Sequence, residues 1–405
     1  MANINKISEA IRGEGLGGWL FLNFQHRDRI ADLTLGIPEK AVNTRPWICL
    51  LLPDGGVVKI VHAIESSILD HLPGEKRVYV SRDELRAALR EAAPPQGRTA
   101  VQVSRNIAAV STLDHGHAAL LESCGYSLTT SAGLIQRTLG LLDARALASH
   151  QRASDALYEV VQRIWARVET EMTRGETIRE GEVQDWILAL FEEKGLVTEG
   201  RPIVAVGGNS GDPHYSFGGQ GQPLTPEAVL QLDIWARESE PGSVFADISW
   251  IGFLGEHIPE REQAVFAAVV RAREAGLEAI ADARQSGKPV SGAEVDRKVR
   301  TVLIEAGYTD YIRHRTGHAI DTRVHGYGAN LDSVEFPDER LLLEGSCFSI
   351  EPGLYLPEFG MRTEIDVTIH GGRPVVSGPG RQTELLRFCS MGAQGAQGGK
   401  SAQGN

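Results

Sequence analysis

The chain has 405 residues, and its 41 Lys and Arg residues against 53 Asp and Glu residues give a formal net charge of −12. This acidic balance counts against nucleic-acid binding, which needs a basic face, and no apolar run approaches the roughly 18 residues that span a bilayer. The N-terminal residues lack the apolar segment of a signal peptide. Four widely separated cysteines, Cys49, Cys124, Cys347 and Cys389, form no Cys-x-x-Cys motif, which is typical of reduced thiols. These features predict a globular cytoplasmic protein without a nucleic-acid or membrane partner.

The first 140 or so residues predict a small α/β domain. Strand signals, which are short apolar and β-branched runs, lie at 47–52, 57–64, 76–80 and 99–103. The first two runs flank Pro53-Asp54-Gly55-Gly56, a turn sequence that predicts a β-hairpin. Ser81 and Glu84 have the spacing of a helix capping box, and residues 113–123 predict a further helix.

From about residue 150 the sequence predicts the same order of elements twice: a long helix, a short helix, a loop and two strands. The long helices are predicted over 157–172 and after Pro259. Capping boxes are predicted where the short helices begin, at Thr177 with Glu180 and at Ser291 with Glu294. Strand signals lie at 229–236, 243–253, 347–350 and 361–369. We interpret this repetition as an internal duplication.

Each of these four strand segments carries or adjoins an acidic residue, although acids are depleted in strands: Asp233, Asp247, Glu351 and Glu364. Side chains alternate between the two faces of a strand, so the four acids can gather on one face while their apolar neighbours point away. Arg362 and Asp366 share the face of Glu364. Repulsion among the acids would raise their pKa values, whereas two divalent ions would balance their charge and favour oxygen ligands. Any one acid alone would also fit a solvated strand face or a structural salt bridge.

Five of the twelve histidines lie between His214 and His325. His314 and His318 have the spacing of a zinc-binding pair on a helix. However, Arg315-Thr316-Gly317 between them reads as a loop, and no Glu follows His314. A structural role is therefore predicted for His314.

Five segments, taken in order, resemble the pita-bread metallopeptidases. They are Pro213-His214-Tyr215, Leu232-Asp233-Ile234, Ala246-Asp247-Ile248-Ser249, Thr316-Gly317-His318 with Val324-His325, and Ser349-Ile350-Glu351-Pro352-Gly353 with Arg362-Thr363-Glu364. The resemblance covers about residues 150–385. Residues 1–145 more weakly resemble the N-terminal domain of the creatinase and prolidase branch, which favours the Xaa-Pro aminopeptidase and Xaa-Pro dipeptidase members.

The resemblance implies an α/β (α+β) fold class and a division of the chain. Residues 1–145 would form a creatinase-like α/β domain, and residues 146–388 a pita-bread catalytic domain of duplicated α-α-β-β units. The low-complexity residues 391–405 are predicted to be a disordered tail.

The resemblance also implies the site. Two divalent metal ions, with manganese expected and cobalt, zinc or iron as alternatives, would be held by Asp233, Asp247, His318, Glu351 and Glu364. His214 and His325 would contact the substrate and stabilise the tetrahedral intermediate, and Glu351 would transfer a proton. Arg362 would orient Glu364.

The implied activity is hydrolysis of the peptide bond before proline at the N-terminus of short peptides, by an enzyme that is expected to be a homodimer. Aminopeptidase and dipeptidase action both remain open. Two alternatives stand beside this function: a metal-free, creatinase-like amidinohydrolase, and a pita-bread module that binds a protein without catalysis.

Overall fold

The structure is a computed structural model that describes residues 3–94 and 96–388. They form two compact units. The first runs to Leu141 and includes Tyr327–Ala329 and Phe336–Arg340, and the second comprises Leu142–Gly326, Asn330–Glu335 and the chain from Leu341. The predicted tail, residues 391–405, lies outside the described residues, as does Cys389. Within the described residues, no helix combines the length and hydropathy that a membrane crossing requires.

The first unit is built on a mixed six-stranded sheet. Its strands are β1 (Gly18–Asn23), β2 (Trp47–Leu51), β3 (Val57–His62), β4 (Glu75–Tyr79), β5 (Thr99–Val101) and β6 (Leu128–Thr130). Its helices are α1 (Ile4–Gly13), α2 (Arg29–Leu35), α3 (Arg82–Ala92), α4 (His115–Ser123) and α5 (Ala132–Leu139). The strand order is β4-β3-β2-β1-β5-β6, with β2 antiparallel to both its neighbours and the other pairs parallel.

Both faces of this sheet are buried because successive residues of a strand point to opposite sides. Trp19 and Phe21 pack in a cluster with α1, α2 and α5, whereas Leu20 and Leu22 pack with α3 and α4. The predicted hairpin of β2 and β3 is confirmed. Gly55 in its turn has a φ of 94°, which glycine adopts without strain.

The second unit confirms the predicted order of elements. Its helices are α6 (Ala144–Thr173), α7 (Glu180–Glu193), α8 (Glu260–Gln285) and α9 (Gly292–Glu305). The strands that follow α7 are β7 (Leu196–Val197), β8 (Ile203–Val206), β9 (Val229–Glu238) and β10 (Ala246–Phe253). Those that follow α9 are β11 (Cys347–Ile350), β12 (Gly353–Tyr355), β13 (Gly360–Arg362), β14 (Ile365–His370), β15 (Arg373–Val376) and β16 (Leu386–Arg387).

The strands of the second unit form three sheets. β9 lies between β10 and the short strands β7 and β8, and β16 extends the sheet beyond β10. β14 lies between β11 and β15, and β12 pairs with β13. The apolar face of α6, with Leu157, Val161 and Ile164, packs in one cluster with Leu232 and Ile248 of the first sheet. The core therefore lies on the helix side of β9 and β10.

Two of the three predicted capping boxes are confirmed, at Ser81 with Glu84 and at Ser291 with Glu294. The third, Thr177 with Glu180, is wrong by two residues. α7 begins at Glu180, and the Glu182 carboxylate accepts a hydrogen bond from Arg179 N–H at 2.8 Å. Glu180 does not cap the helix because its buried side chain accepts hydrogen bonds from a neighbouring loop.

The sequence predicts one strand over 361–369, but the structure divides it into β13 and β14, with Glu364 between them. β13 pairs with β12 and β14 pairs with β11, so the chain changes partners at this point. Glu364 N–H instead donates to Ser249 O at 3.3 Å. The prediction of a single strand is therefore wrong.

A buried histidine on α6, His150, joins segments from both copies of the repeated elements. Its Nδ1 lies 2.7 Å from Phe245 O, and because a carbonyl only accepts, Nδ1 carries the proton. Nε2 then accepts from the Ser377 hydroxyl at 2.8 Å. Asp366 Oδ2 and Cys347 Sγ lie 3.9 and 3.6 Å from Nε2. Burial lowers the pKa of His150 from 6.5 to about 4, so the ring is neutral at neutral pH.

The buried neutral ring predicts a loss of stability in acid. Between pH 6.5 and about 4 the unfolded chain protonates His150 while the folded chain does not, so the free energy of unfolding falls as pH falls. The contribution of this one group is about 3 kcal/mol. The measurement is the urea midpoint of chelator-treated protein across this pH range. His150→Asn, which can still donate to Phe245 O, should show a shallower dependence, and an equal slope in both proteins would contradict the assignment.

Candidate metal centre

The second unit contains a cavity of about 720 Å³. Its walls include every residue that the sequence predicts as a metal ligand or catalytic group: His214, Asp233, Asp247, His318, His325, Glu351, Arg362 and Glu364. These residues come from both copies of the repeated elements. The fold therefore brings together side chains that are separated by up to 150 positions in the sequence.

Strand alternation directs two of the acids into this cavity. Asp233 lies in β9 and Asp247 in β10, and the antiparallel register pairs Asp233 with Ser249 and Asp247 with Trp235. Their neighbours on the strands point into the core on the other side, namely Leu232, Ile234 and Ile248. The predicted separation of an apolar face from an acidic face is confirmed for these strands.

A close backbone approach holds His318 beside β11. A Cβ on Gly317 would lie 2.0 Å from Ser349 O, so only glycine fits at this position. His318 N–H donates to Ser349 Oγ at 3.0 Å, and this hydroxyl lies 3.1 Å from Glu351 Oε1. Ser349 thus fixes a histidine and a carboxylate side by side, a role that was not predicted for it.

Asp247, His318 and Glu364 form a buried group whose ligand atoms all lie within 4.8 Å of one another. His318 Nε2 is 3.7 Å from Asp247 Oδ2 and 3.4 Å from Glu351 Oε1. Asp247 Oδ1 and Glu364 Oε1 are buried and have no hydrogen-bond partner among the described residues. Buried oxygens without partners are costly. Carboxylates with one imidazole are a donor set for a divalent cation, so these residues fit a metal ion.

The pKa shifts of these three side chains also favour a bound cation. Burial and the charges of neighbouring carboxylates raise the pKa values of Asp247 and Glu364 well above their usual range. Burial lowers the pKa of His318 to about 3, which leaves its ring neutral and able to act as a ligand. A bound cation would favour the charged forms of both carboxylates.

Arg362 binds a different carboxylate from the one that the sequence suggested. Its guanidinium donates to Asp233 Oδ2 at 2.5 Å and to Ser249 Oγ at 3.1 Å. Ser249 Oγ lies 2.6 Å from Asp233 Oδ1 and 3.0 Å from Glu364 Oε2. Arg362 reaches Glu364 through the Ser249 hydroxyl, so the expectation that Arg362 orients Glu364 stays a prediction that would act through Ser249. Because side chains alternate along β10, Ser249 lies on the same face as Asp247. This alternation could have identified Ser249 from the sequence.

The histidines of the cavity differ in their surroundings. His214 is exposed, and its imidazole has no hydrogen bond to any described residue. Only its main-chain N–H donates, to the Asp212 side chain. The ring of His325, which is also exposed, lies 4.3 Å from that of His318, and partial desolvation together with the nearby His318 and Arg315 lowers the pKa of His325 to about 4. His314 Nε2 lies 2.7 Å from Tyr355 OH, and Tyr355 in turn accepts from Arg362 at 3.0 Å. These contacts fit the structural role predicted for His314.

The profile of metallopeptidase family M24 matches residues 148–371, which is more than half of the chain. The chain belongs to metallopeptidase family M24. It is 29% identical over 181 residues to the Xaa-Pro dipeptidase of Lactobacillus helveticus, an alignment that covers 42% of this chain and 43% of that protein. It is 30% identical over 210 residues to the probable dipeptidase PepE of Mycobacterium tuberculosis, covering 52% and 51%. The chain thus spans about half the length of the curated relatives it matches.

Solved structures extend the likeness in fold to nearly the whole chain. Dipeptidase PepE from Mycobacterium ulcerans has a TM-score of 0.70 at 22% identity, covering 95% of this chain and 97% of that one. Prolidase from Thermococcus sibiricus has a TM-score of 0.64 at 20% identity, covering 95% and 98%. The fold is therefore the pita-bread fold of the prolidases. The N-terminal domain of the FACT complex subunit SPT16 from chickpea shares it, with a TM-score of 0.64 at 12% identity over 92% of this chain and 94% of that one.

A further buried carboxylate in this M24 chain holds the loop that carries His214. Glu180 Oε1 accepts from Val206 N–H and from the Asn209 amide, each at 2.9 Å. Its Oε2 accepts from Tyr215 OH at 3.0 Å and from Gln222 N–H at 2.7 Å. Four donors from the end of β8 and the segment that follows it thus converge on a side chain that has no solvent exposure.

Glu180→Ala is expected to destabilise the protein by about 3 kcal/mol and to lower turnover. Buried donors that lose their acceptor pay a desolvation penalty, and the His214 loop loses its anchor. Glu180→Gln, which keeps one acceptor oxygen, should be intermediate. The measurements are urea unfolding and initial rates. Glu192→Ala, at an exposed position of the same helix, is the control. A Glu180→Ala protein that is as stable and as active as Glu192→Ala would exclude the anchoring role.

Proposed function

We propose that the chain is a metal-dependent peptidase that hydrolyses the bond before proline at the N-terminus of short peptides. The observation that carries this proposal is the buried group of Asp247, His318 and Glu364, in which two carboxylate oxygens have no partner among the described residues. Membership of a metallopeptidase family and the dipeptidases among its relatives support it.

Five residues would hold two divalent ions: Asp233, Asp247, His318, Glu351 and Glu364. Manganese is the first ion to test, and cobalt, zinc and iron are the alternatives, because oxygen ligands with one imidazole suit each of them. When bound, such ions polarise a carbonyl oxygen and lower the pKa of water.

The remaining cavity residues would orient the peptide and move protons. His214 and His325 line the cavity and would donate hydrogen bonds to the carbonyl oxygen that gains negative charge during attack. Glu351, whose side chain is 13% exposed, would take a proton from the attacking water on a carboxylate oxygen and give it to the leaving nitrogen. Arg362 would keep Asp233 in place through its hydrogen bond to Oδ2.

The cavity volume, about 720 Å³, suits a ligand the size of a short peptide. We assign residues 1–145 to a creatinase- and prolidase-like domain and residues 146–388 to the catalytic domain. The change between compact units at Leu141 and Leu142 supports this division. We also propose that the protein is a homodimer, on the resemblance to the Xaa-Pro branch, and that it is cytoplasmic, on the wide separation of the cysteines.

A chelation and substrate experiment tests the function. Purified protein is analysed for metal and then assayed with Xaa-Pro dipeptides, Xaa-Pro-Yaa tripeptides and Met-Ala peptides, before and after chelation. We expect Xaa-Pro cleavage that is lost on chelation and restored by Mn²⁺, with little cleavage of Met-Ala. Which Xaa-Pro length is cleaved separates dipeptidase from aminopeptidase action. Protein that binds no metal and cleaves none of these peptides would favour the amidinohydrolase-like alternative, and metal-loaded protein that cleaves no peptide would favour a binding module.

A further inference from the structure

Two predicted metal ligands that have a carboxylate oxygen without a partner among the described residues lie in or beside strands of different sheets. Asp247 belongs to β10, and Glu364 immediately precedes β14. Where the two strands meet, Glu364 N–H donates to Ser249 O at 3.3 Å, and Asp247 N–H donates to Asp366 Oδ2 at 2.9 Å. A side-chain carboxylate therefore takes the place of a main-chain acceptor at the second of these contacts.

We propose that Asp366 is a positioning residue that sets the spacing between Asp247 and Glu364. Asp366 lies two residues after Glu364, and its side chain accepts a hydrogen bond from the main chain of Asp247, so a short stretch of chain and one hydrogen bond connect the two ligands. Metal sites need their ligands held within about 0.5 Å of the productive geometry. This inference rests on the proposed function, because it supposes that these two carboxylates bind metal.

The strand pairing around Asp366 fixes its main chain. Its own carbonyl accepts from Ser377 N–H at 2.9 Å, and in the ladder of β11 and β14 it lies opposite Ser349. His150, 3.9 Å away, does not bind it, because Nε2 of that ring already accepts from the Ser377 hydroxyl. The hydrogen bond from Asp247 is therefore the main polar contact of the Asp366 side chain.

The second oxygen of Asp366 makes a purely structural role a poor explanation. Oδ1 is buried and has no hydrogen-bond partner among the described residues. Strand positions whose only task is packing favour β-branched apolar residues, which avoid the cost of burying such an oxygen. The hydrogen bond from Asp247 N–H explains why a carboxylate occupies this position.

Three variants of one strand test the proposal. Asp366→Val fills a similar volume and suits a strand, but removes the acceptor. Asp366→Asn keeps an acceptor oxygen without the charge. Thr368→Val, two residues further along the same face of β14, is the matched control, because Thr368 contacts Val375 O and no predicted metal ligand. The readouts are Mn²⁺ binding to metal-free protein by calorimetry, the melting temperature of the metal-free form, and kcat and KM for an Xaa-Pro peptide.

Asp366→Val is expected to weaken Mn²⁺ binding about 10- to 100-fold and to lower kcat more than it raises KM. Asp366→Asn and Thr368→Val should bind Mn²⁺ as the original protein does. Unchanged binding by folded Asp366→Val would overturn the inference alone, whereas an original protein that binds no Mn²⁺ would overturn the proposed function with it. If Asp366→Val does not fold, Asp366→Asn is the deciding variant. Mn²⁺ binding as strong as in the original protein would support the inference. Mn²⁺ binding as weak as that of Asp247→Asn would overturn it, because the charge of Asp366 and not its hydrogen bond would then matter.

Discussion

Replacing Glu364 by alanine is expected to abolish peptide hydrolysis and to leave fewer than two metal ions per chain. Asp247→Ala should have the same effect. Each variant removes one of the buried carboxylates whose oxygen has no partner among the described residues, and these two side chains lie beside His318 within one ligand group. The measurements are metal content after dialysis and the initial rate with an Xaa-Pro peptide.

Glu193→Ala is a suitable control for both variants. Glu193 is an exposed acid at the end of α7, where it pairs with Arg163 at 2.7 Å, and its removal should change neither metal content nor rate. Retention of two tightly bound ions in Asp247→Ala or Glu364→Ala would contradict the assignment of these residues as metal ligands. Loss of metal with retained hydrolysis would contradict the metal dependence itself.

His214→Ala is expected to lower kcat about 100- to 1,000-fold while metal content stays unchanged. The imidazole lines the cavity, makes no hydrogen bond to a described residue and is exposed, so it is free to donate to a substrate. Its loss should remove one stabilising contact to the oxygen that becomes negative, without disturbing the buried ligands.

His257→Ala provides the matched control, since His257 lies outside the cavity wall. It should have the rate of the original protein. A His214→Ala protein with an unchanged kcat would show that His214 is only a loop residue. A parallel loss of metal would place it among the residues that hold the ions rather than those that bind substrate.

The order of elements and the gathering of acids could be predicted because both follow from local rules. Apolar periodicity marks helices, and alternation in a strand puts Asp233 and Asp247 opposite Leu232 and Ile248 whatever the rest of the chain does. The histidines needed a resemblance to a known family, since no local rule brings loops about 100 residues apart into one cavity.

The errors arise where tertiary contacts overrule a local pattern. Thr177 and Glu180 have the spacing of a capping box, but four donors from β8 and the segment after it bind Glu180 and leave Glu182 to cap the helix. The strand over 361–369 breaks because the chain changes pairing partners at Glu364. The binding of Arg362 to Asp233 depends on a neighbouring strand that sequence spacing does not reveal.

The described cysteines can serve as separate labelling probes of the two compact units. Cys49 and Cys124 lie in the first unit and Cys347 in the second, and all three thiols are buried. A thiol reagent can reach them only when the surrounding structure opens, so labelling rates measure local or global opening. In a Cys389→Ser background, mass spectrometry of each labelled peptide would time the opening of the two units independently. If bound metal ties the strands of the second unit together, its addition should slow the labelling of Cys347 far more than that of Cys49.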